Sequence, residues 1–371
     1  METTLGEIAA TGYEPLVKDG MTEKLAPKIK RLAALLSEAK AKNRFILLRF
    51  HHDADGISGA FALMGVLRFQ PYQQNAAVYS VKDAIRDLSN IQHEDKPLVI
   101  LLDFGMNQES EEGLGLLRAG GAEVIVIDHH PPSASAMGRA DFFLTPWEFS
   151  GDESASRYVA GYLAAEVARA CGSDAKAYAK IACAGDKSGI LELDDEDRKK
   201  ALVLDYLAAH SGFGNNLRFY RNVLSNPELF DSMFRQADEK INEAADKAMR
   251  AMKERKQGDV SVYLVGLEKV VRKGEFPNRS KVTTRVFDRL KENTPGPLVV
   301  LGIGERTIIM RLDQAAADRG LGADKLAKKM LETMRDFTES GGGHAKAGAI
   351  RVKEGFANAV VDEIVKLVAS A

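Results

Sequence analysis

Three short apolar segments of this chain each end in aspartate or histidine, and this pattern constrains the fold more than any other feature. The segments span 44–50, 98–102 and 124–127. The polar residues that follow them are His51-His52-Asp53-Ala54-Asp55-Gly56, then Asp103, then Asp128-His129-His130. A continuous run of aliphatic and β-branched residues is typical of a strand buried on both faces of a parallel sheet. Because the carboxyl ends of parallel strands meet at one edge of a sheet, we expect these polar side chains to share one crevice.

This crevice is predicted to hold metal ions, because carboxylates held close together repel one another unless a cation lies among them. Imidazole and carboxylate ligands suit Mn²⁺, Mg²⁺, Fe²⁺ or Zn²⁺, and the lack of cysteine in these segments argues against a structural zinc site. For the first segment alone, an acidic helix N-terminus explains Asp53 and Asp55 equally well. The histidines favour the metal site, since four of the seven in the chain fall in the pairs 51–52 and 129–130. Asp186, which follows an apolar helical pattern, is a further candidate ligand.

The C-terminal third of the chain contains a candidate anion-binding segment, Gly341-Gly342-Gly343-His344-Ala345-Lys346. Three consecutive glycines allow backbone N–H groups to turn toward an anion. His344 and Lys346 would add hydrogen-bond donors suited to a phosphate. The alternative is a flexible turn that leads into a strand at 347–352.

Alternating strand and helix patterns between 44 and about 190 predict an α/β fold with a doubly wound parallel sheet. The predicted strands there are 44–50, 77–81, 98–103 and 123–128, and the predicted helices are 22–42, 57–69, 107–119 and others within 154–185. Residues 195–256 show helical periodicity without a strand, and 237–256 is predicted to be an exposed helix. The following smaller mixed α/β module has predicted strands at 260–265, 297–303, 306–312 and 347–352 and predicted helices at 323–336 and 355–369. The expected domains are therefore 1–194, a helical connector at 195–256, and 257–371.

The charge of the chain is divided unevenly between its two parts. Residues 1–259 contain 32 basic and 39 acidic residues, whereas residues 260–371 contain 19 basic and 14 acidic residues. The basic excess is too small for a tight duplex-binding protein. A basic stretch from Arg272 to Arg285, which includes Lys273, Arg279 and Lys281, could contact an anion, although a solvated surface explains it equally well.

Other features of the sequence exclude several classes of protein. No apolar run is long enough to span a bilayer, and the N-terminal residues lack the pattern of a signal peptide. Cys171 and Cys183 lie in apolar helical patterns and are expected to be buried thiols, which fits a cytoplasmic protein without membrane contact. The chain has neither a Gly-Lys-Ser/Thr P-loop nor a Gly-x-Ser-x-Gly nucleophile elbow.

Taken together, these motifs resemble the DHH phosphoesterase superfamily, which is named for a triplet that matches Asp128-His129-His130. The first motif is similar to the His/Asp-x-Asp-x-Asp-Gly form of RecJ-like proteins, and the glycine-histidine run is similar to the hallmark of the associated C-terminal DHHA1-type domain. Asp103 and Asp186 match the second and fourth motifs. The tracts at 151–156 and 276–281 most resemble archaeal RecJ-like members.

The resemblance implies two ions, Mn²⁺ or Mg²⁺, held between two domains. By this resemblance His51 and Asp53 hold one ion, Asp55, His129 and Asp186 hold the other, and Asp103 bridges them. Asp128 and His130 would orient ligands or contact phosphate. Some relatives place the first-motif histidine where this chain has Arg49, so His52 stands as an alternative to His51.

The expected activity is metal-dependent hydrolysis of a phosphodiester, with exonuclease action on ends of single-stranded DNA or RNA as the first choice. The glycine run, Arg279 and Lys281 would bind the substrate. A phosphodiesterase for cyclic dinucleotides or short RNA is the alternative within enzymes. From a different class, the resemblance also allows a non-catalytic scaffold in replication or repair, and it makes a repair or replication protein an expected partner.

Overall fold

The computed structural model describes residues 12–152, 154–211, 216–272 and 274–370, with only the backbone of Ser211 and His344. It forms two compact units, Met1–Phe234 and Arg235–Ala371. The boundary between the units falls inside a helix rather than at either end of the predicted connector. The assignment of a catalytic domain to 1–194, a connector to 195–256 and a substrate-binding domain to 257–371 stays a prediction.

The first unit contains a five-stranded, entirely parallel sheet in the order β2-β1-β3-β4-β5. Its strands are β1 (Ile46–His51), β2 (Gln70–Gln74), β3 (Leu98–Leu102), β4 (Glu123–Ile127) and β5 (Phe142–Leu144). Its helices are α1 (Gly20–Ala41), α2 (Ala54–Met64), α3 (Val81–Ile91), α4 (Gln108–Ala119), α5 (Ala134–Met137), α6 (Ala160–Ala170), α7 (Lys176–Gly185), α8 (Asp195–Ser211) and α9 (Leu217–Ser225). A further helix, α10 (Pro227–Arg250), begins in the first unit and ends in the second.

Alternate residues of the central strands pack against helices on opposite faces of the sheet. On one face Val99 and Val124 join a buried cluster with Ile91 of α3 and Leu117 of α4. On the other face α2 approaches so closely that a Cβ on Gly59 would lie 2.9 Å from the side chain of Leu102. Continuous apolar strands are therefore covered on both sides, and the predicted doubly wound parallel sheet is confirmed.

The predicted strand at 77–81 is wrong, since the second strand is Gln70–Gln74 and Val81 begins a helix. The sequence Gln-Pro-Tyr-Gln-Gln conceals a strand because it is polar and contains proline, which is tolerated at a sheet edge. Two of its glutamines are nevertheless buried. Gln73 accepts a hydrogen bond from the Tyr220 hydroxyl at 2.6 Å, and Gln74 accepts one from Arg49 at 3.1 Å.

The second unit contains a six-stranded mixed sheet in the order β10-β11-β9-β8-β7-β6, in which only β7 and β8 are parallel. Its strands are β6 (Lys253–Gln257), β7 (Val260–Gly266), β8 (Leu298–Ile303), β9 (Thr307–Leu312), β10 (Thr338–His344) and β11 (Ala347–Val352). Its other helices are α11 (Arg279–Lys291), α12 (Gln314–Asp318), α13 (Ala323–Thr333) and α14 (Ala357–Ala369). The expected mixed α/β module is confirmed. The exposed helix predicted at 237–256 is partly wrong, because α10 ends at Arg250 and β6 follows as a charged edge strand.

A buried ion pair ties β1 to α3 in the first unit. Arg49 and Asp87 are 5% and 0% exposed, and the Arg49 Nε donates to Asp87 at 2.8 Å. The hydroxyl of Tyr79 also donates to Asp87, at 3.0 Å. Burial acts to lower the pKa of Arg49, but the Asp87 carboxylate outweighs it and the pKa is raised. Arg49 is therefore a structural cation of this unit.

We expect Asp87→Ala to lower the free energy of unfolding by about 3–5 kcal/mol, because it leaves the Arg49 guanidinium buried without its counter-charge. Glu38→Ala is the control, since Glu38 pairs with Lys42 at an exposed position of α1 and exposed pairs add little to stability. Urea denaturation followed by circular dichroism measures both changes. Similar losses in the two variants would contradict the importance of the buried pair.

Candidate metal centre

The structure brings the sequence-predicted acids and histidines together at the carboxyl edge of the parallel sheet. His51 ends β1, Asp103 follows β3, and the Asp128–His130 triplet follows β4. Three groups of side chains have ligand atoms within 4.8 Å of one another. They are His51, Asp53 and Asp103; Asp55, His129 and Asp186; and Asp103, His129 and His130.

Helix ends supply the remaining members of this cluster. Asp53 is the N-cap of α2, where its carboxylate accepts from the Gly56 N–H at 3.0 Å, and Asp55 lies in the first turn. Asp186 caps the C-terminus of α7. The helix therefore begins at residue 54 rather than at the predicted residue 57. Asp53 caps this helix and also belongs to one of the three groups of candidate ligands.

Asp103 occupies the centre of the cluster. Its backbone is left-handed, with φ of +66°, which is uncommon for a residue other than glycine. One carboxylate oxygen lies 3.4 Å from Nδ1 of His51 and the other lies 3.5 Å from Nε2 of His129. Both oxygens and the His129 Nε2 are buried without a hydrogen-bond partner among the described residues. Unpartnered buried polar atoms are costly, so this set of oxygen and imidazole donors fits divalent cations on both sides of Asp103.

The electrostatics of the cluster reflect this crowding of carboxylates. Burial raises the pKa of Asp55, and the neighbouring Asp103 and Asp186 raise it further. Desolvation raises the pKa of Asp186 to about 6, although His129 partly opposes the shift. Burial acts to lower the pKa of His129, but Asp103, Asp186 and Asp55 outweigh it and raise that pKa well above its usual value. Without a cation, Asp55, Asp186 and His129 thus keep their protons to higher pH than ordinary aspartates and histidines do.

Hydrogen bonds from the surrounding backbone fix the orientation of His129. Its Nδ1 lies 2.8 Å from the Ser156 carbonyl oxygen and must donate to it, which leaves Nε2 as the atom that faces the cluster. The indole N–H of Trp147 donates to the His129 carbonyl oxygen at 2.7 Å.

The N-terminus of α6 holds Asp55 in the same way. The N–H groups of Ala160 and Gly161 donate to its two carboxylate oxygens at 2.9 and 2.8 Å. Gly161 is required here, because a Cβ at this position would lie 2.7 Å from the Cβ of Ala182 and 2.8 Å from the Asp55 carboxylate.

Asp128 belongs to none of the three groups and instead orients His130. Its Oδ1 accepts from the backbone N–H of His129 at 2.8 Å and lies 2.9 Å from the Nδ1 of His130. With Nδ1 directed at Asp128, the Nε2 of His130 is the nitrogen left for a ligand, and the side chain is 39% exposed. His52, the alternative to His51, lies in none of the groups.

The candidate anion-binding run of the second unit is a strand rather than a loop. Gly341, Gly342 and Gly343 lie in the second half of β10, which pairs with β11. Gly343 has a φ of +145°, and a Cβ there would collide with the carbonyl oxygen of Ala347. Gly343 is thus explained by the tight hairpin between β10 and β11. The Lys346 side chain is exposed in the hairpin turn.

The structure gives the partners of two other predicted anion contacts, Arg279 and Lys281. Arg279 forms an ion pair with Glu268 at 3.0 Å, so its charge is already balanced. Lys281 lies in the first turn of α11, where its backbone N–H donates to the cap residue Asn278 at 2.9 Å. Lys273 and the side chain of His344 lie outside the described residues.

Arg311 is a candidate anion contact that the sequence reasoning missed. Its guanidinium donates to Thr284 at 3.0 Å, to Ser280 at 2.7 Å and to the Met310 carbonyl oxygen at 2.8 Å, all neutral groups. Among the ion pairs of the described part of the chain, none includes Arg311. Its strand partner is Ala347, next to the hairpin turn. A single arginine inside the apolar strand Thr-Ile-Ile-Met-Arg-Leu was the signal for it.

Comparison with known proteins agrees with this fold. Residues 45–185 match the DHH family, N-terminal domain. An uncharacterized protein of Methanocaldococcus jannaschii is 25% identical in an alignment that covers 95% of this chain and 55% of that protein. The chain therefore spans about half the length of this curated relative.

Solved structures extend the similarity to nearly the whole chain. A DHH domain described as a member of the s1p family of ribosomal proteins has a TM-score of 0.79 and 25% identity, with 98% of this chain and 95% of that chain covered. RecJ from Thermus thermophilus in complex with Mn²⁺ has a TM-score of 0.58 and 17% identity over 98% of this chain and 56% of that chain. An exonuclease RecJ bound to manganese has a TM-score of 0.52 and 17% identity over 93% and 95% of the two chains.

No described helix has the length and apolar character needed to cross a bilayer.

We expect Mn²⁺ binding to weaken as the pH falls below about 6. Ligands must lose their protons before they bind a cation, and Asp186 has a pKa raised to about 6. In the metal-free protein, protonated Asp186 stabilises the folded state most at pH values below the pKa that it has in the unfolded chain. This stabilisation is lost as the pH rises through about 6, and from there a cation can take the place of the proton. The increase in Tm on adding Mn²⁺, measured against an EDTA control, should therefore be larger at about pH 7.5 than at about pH 5.5. Equal increases at both pH values would contradict this linkage.

Proposed function

We propose that this chain, which has the RecJ-like fold of the DHH superfamily, is a metal-dependent phosphodiester hydrolase that acts as an exonuclease on single-stranded DNA or RNA ends. The observation that carries the proposal is the position of Asp103, whose two unpartnered carboxylate oxygens lie between His51 and His129. Such an arrangement suits a carboxylate shared by two cations.

The residues present fit two divalent ions, with Mn²⁺ preferred and Mg²⁺ as the alternative. His51 and Asp53 would hold one ion and Asp55, His129 and Asp186 the other, with Asp103 common to both. When bound, such ions lower the pKa of a water and neutralise charge on phosphoryl oxygens. That all of these residues meet in one cluster supports a catalytic protein over the scaffold alternative.

His130 supplies a group for the transferred phosphoryl. Asp128 accepts a hydrogen bond from Nδ1 of His130. Burial and the neighbouring His129 act to lower the pKa of His130, but Asp128 outweighs them and the pKa is raised. A protonated His130 can donate from Nε2 to a phosphate oxygen as negative charge accumulates there. Asp128 would thus act as a positioning residue and His130 as a catalytic residue.

Arg311 and Lys346 are the proposed anion contacts of the second unit. The Arg311 guanidinium is held by neutral hydroxyl and carbonyl oxygens and forms no ion pair among the described residues, which suits it to contact a phosphate. Lys346 lies in the adjoining hairpin turn. The short-oligonucleotide and cyclic-dinucleotide alternative remains an outcome of the test below. A repair or replication protein is a proposed partner through the family resemblance.

The proposed activity is tested by digestion of end-labelled single strands of DNA and RNA, of graded length, with Mn²⁺. We expect stepwise loss of nucleotides from one end. Hydrolysis restricted to dinucleotides would favour the alternative substrate, and intact substrates of every kind would refute the proposed hydrolase.

We expect Asp103→Ala to reduce this hydrolysis by about a thousandfold or more, because it removes the carboxylate common to both ions. Asp103→Asn is the better-folded partner variant, since asparagine tolerates the left-handed backbone of this position. Asp195→Ala, which removes an exposed carboxylate of α8, is the matched control and should keep full activity. Near-normal rates in both Asp103 variants would rule out the shared role.

We expect Arg311→Met to raise KM for oligonucleotides by about tenfold with little change in kcat, because an ionic contact to a non-reacting phosphate is lost. Mn²⁺ affinity should not change. Arg306→Met, which removes an arginine paired with Glu339 just before β9, is the control. An unchanged KM in Arg311→Met would show that this guanidinium does not contact the substrate.

A further inference from the structure

We propose that Asp205 of α8 is a positioning residue that holds the first turn of α2 and so fixes the two metal-facing carboxylates on either side of Ala54. This inference deepens the proposed function and rests on its metal centre. It also gives a role to a helix that the sequence analysis assigned only to a connector.

The contact that carries the inference is a single hydrogen bond. The backbone N–H of Ala54 donates to Oδ1 of Asp205 at 2.8 Å. Ala54 is fully buried and is the first residue of α2, between the N-cap Asp53 and Asp55. The first N–H groups of a helix have no acceptor within it. The carboxylate of Asp53 serves the Gly56 N–H, so the N–H of Ala54 takes its acceptor from α8.

A second contact at Ala54 links this turn to the end of α7, next to Asp186. A Cβ on Gly185 would lie 2.8 Å from the Cβ of Ala54, so the end of α7 packs directly against the start of α2. Gly185 immediately precedes Asp186. Ala54 is therefore the point at which the backbone positions of Asp53, Asp55 and Asp186 are set relative to one another.

Asp205 adds a second restraint on Ala54. Gly185 limits how closely the first turn of α2 can approach α7, and the hydrogen bond to Asp205 ties the same turn to α8. Loss of the acceptor would free a buried N–H and let the turn shift, which would move Asp53 and Asp55 together. A shift of both carboxylates changes the ligand geometry of both ions.

The experiment compares Mn²⁺ affinity of the full chain with that of Asp205→Ala and Asp205→Asn, measured from free Mn²⁺ by electron paramagnetic resonance. Trp147, the only tryptophan of the chain, donates to the His129 carbonyl oxygen, so its fluorescence gives an independent signal of ion binding. We expect Asp205→Ala to bind Mn²⁺ about tenfold more weakly. Asp205→Asn should stay within about twofold of wild type, since its amide oxygen still accepts from Ala54. Asp195→Ala, on the same helix, should match wild type.

The outcomes separate this inference from the proposed function. An Asp205→Ala protein that melts at a lower temperature but binds Mn²⁺ like wild type would overturn the positioning role, as would equal weakening in the alanine and asparagine variants. A wild-type chain that binds no Mn²⁺ would refute the metal centre itself. Wild-type binding without hydrolysis, together with weaker binding in Asp205→Ala, would refute the proposed nuclease and leave the positioning role supported.

Discussion

Mutual repulsion among aspartates is the constraint on which the first unit depends. Asp55, Asp103 and Asp128 are essentially inaccessible to solvent, and Asp53 and Asp186 lie beside them. Carboxylates so placed must be neutralised by protons, by imidazolium groups or by metal ions. The parallel sheet makes this crowding unavoidable, because three of its strands deliver acids to the same edge. If cations bind at this site, their binding and the stability of the fold become linked properties.

The support around the acids is built mainly from backbone groups rather than from further charges. The α6 N-terminus donates to Asp55, the Ser156 carbonyl accepts from His129, and Trp147 donates to the His129 carbonyl oxygen. Neutral support of this kind orients ligands without adding to the charge that the ions must balance. The second unit also uses neutral groups, since hydroxyl and carbonyl oxygens hold the guanidinium of Arg311.

The sequence predicts the strands that are buried through apolar side chains alone. It misses the strands whose polar or glycine residues are explained by hydrogen bonds, by an edge position or by close packing. β1, β3 and β4 are mostly apolar runs with both faces buried, so their position and the polar residues after them were foreseeable. β2 escaped notice because its glutamines are buried through hydrogen bonds to Tyr220 and Arg49, which a hydropathy pattern cannot show. β6 is an exposed, charged edge strand, and charge at an edge prevents pairing with other chains. The triple glycine was expected in a loop because glycine favours turns, yet it lies in a strand, where close pairing with β11 demands glycine at position 343 for steric reasons.

Small residues set the distance between the helices that carry the candidate metal ligands. Gly161 contacts Asp55 and Ala182, and Gly185 contacts Ala54, with no space for a methyl group at either glycine. The candidate ligands on α2 and α7 are thus held at a fixed separation. Neither helix can move away from the other without losing packing contacts. Under this restriction the radius of an ion matters as much as its charge. Mg²⁺ takes oxygen ligands at about 2.0–2.1 Å and Ca²⁺ at about 2.3–2.6 Å, so the larger ion would have to force apart helices that are already in contact. Tight helix packing would in this way give the protein selectivity among divalent cations that share the same preference for oxygen.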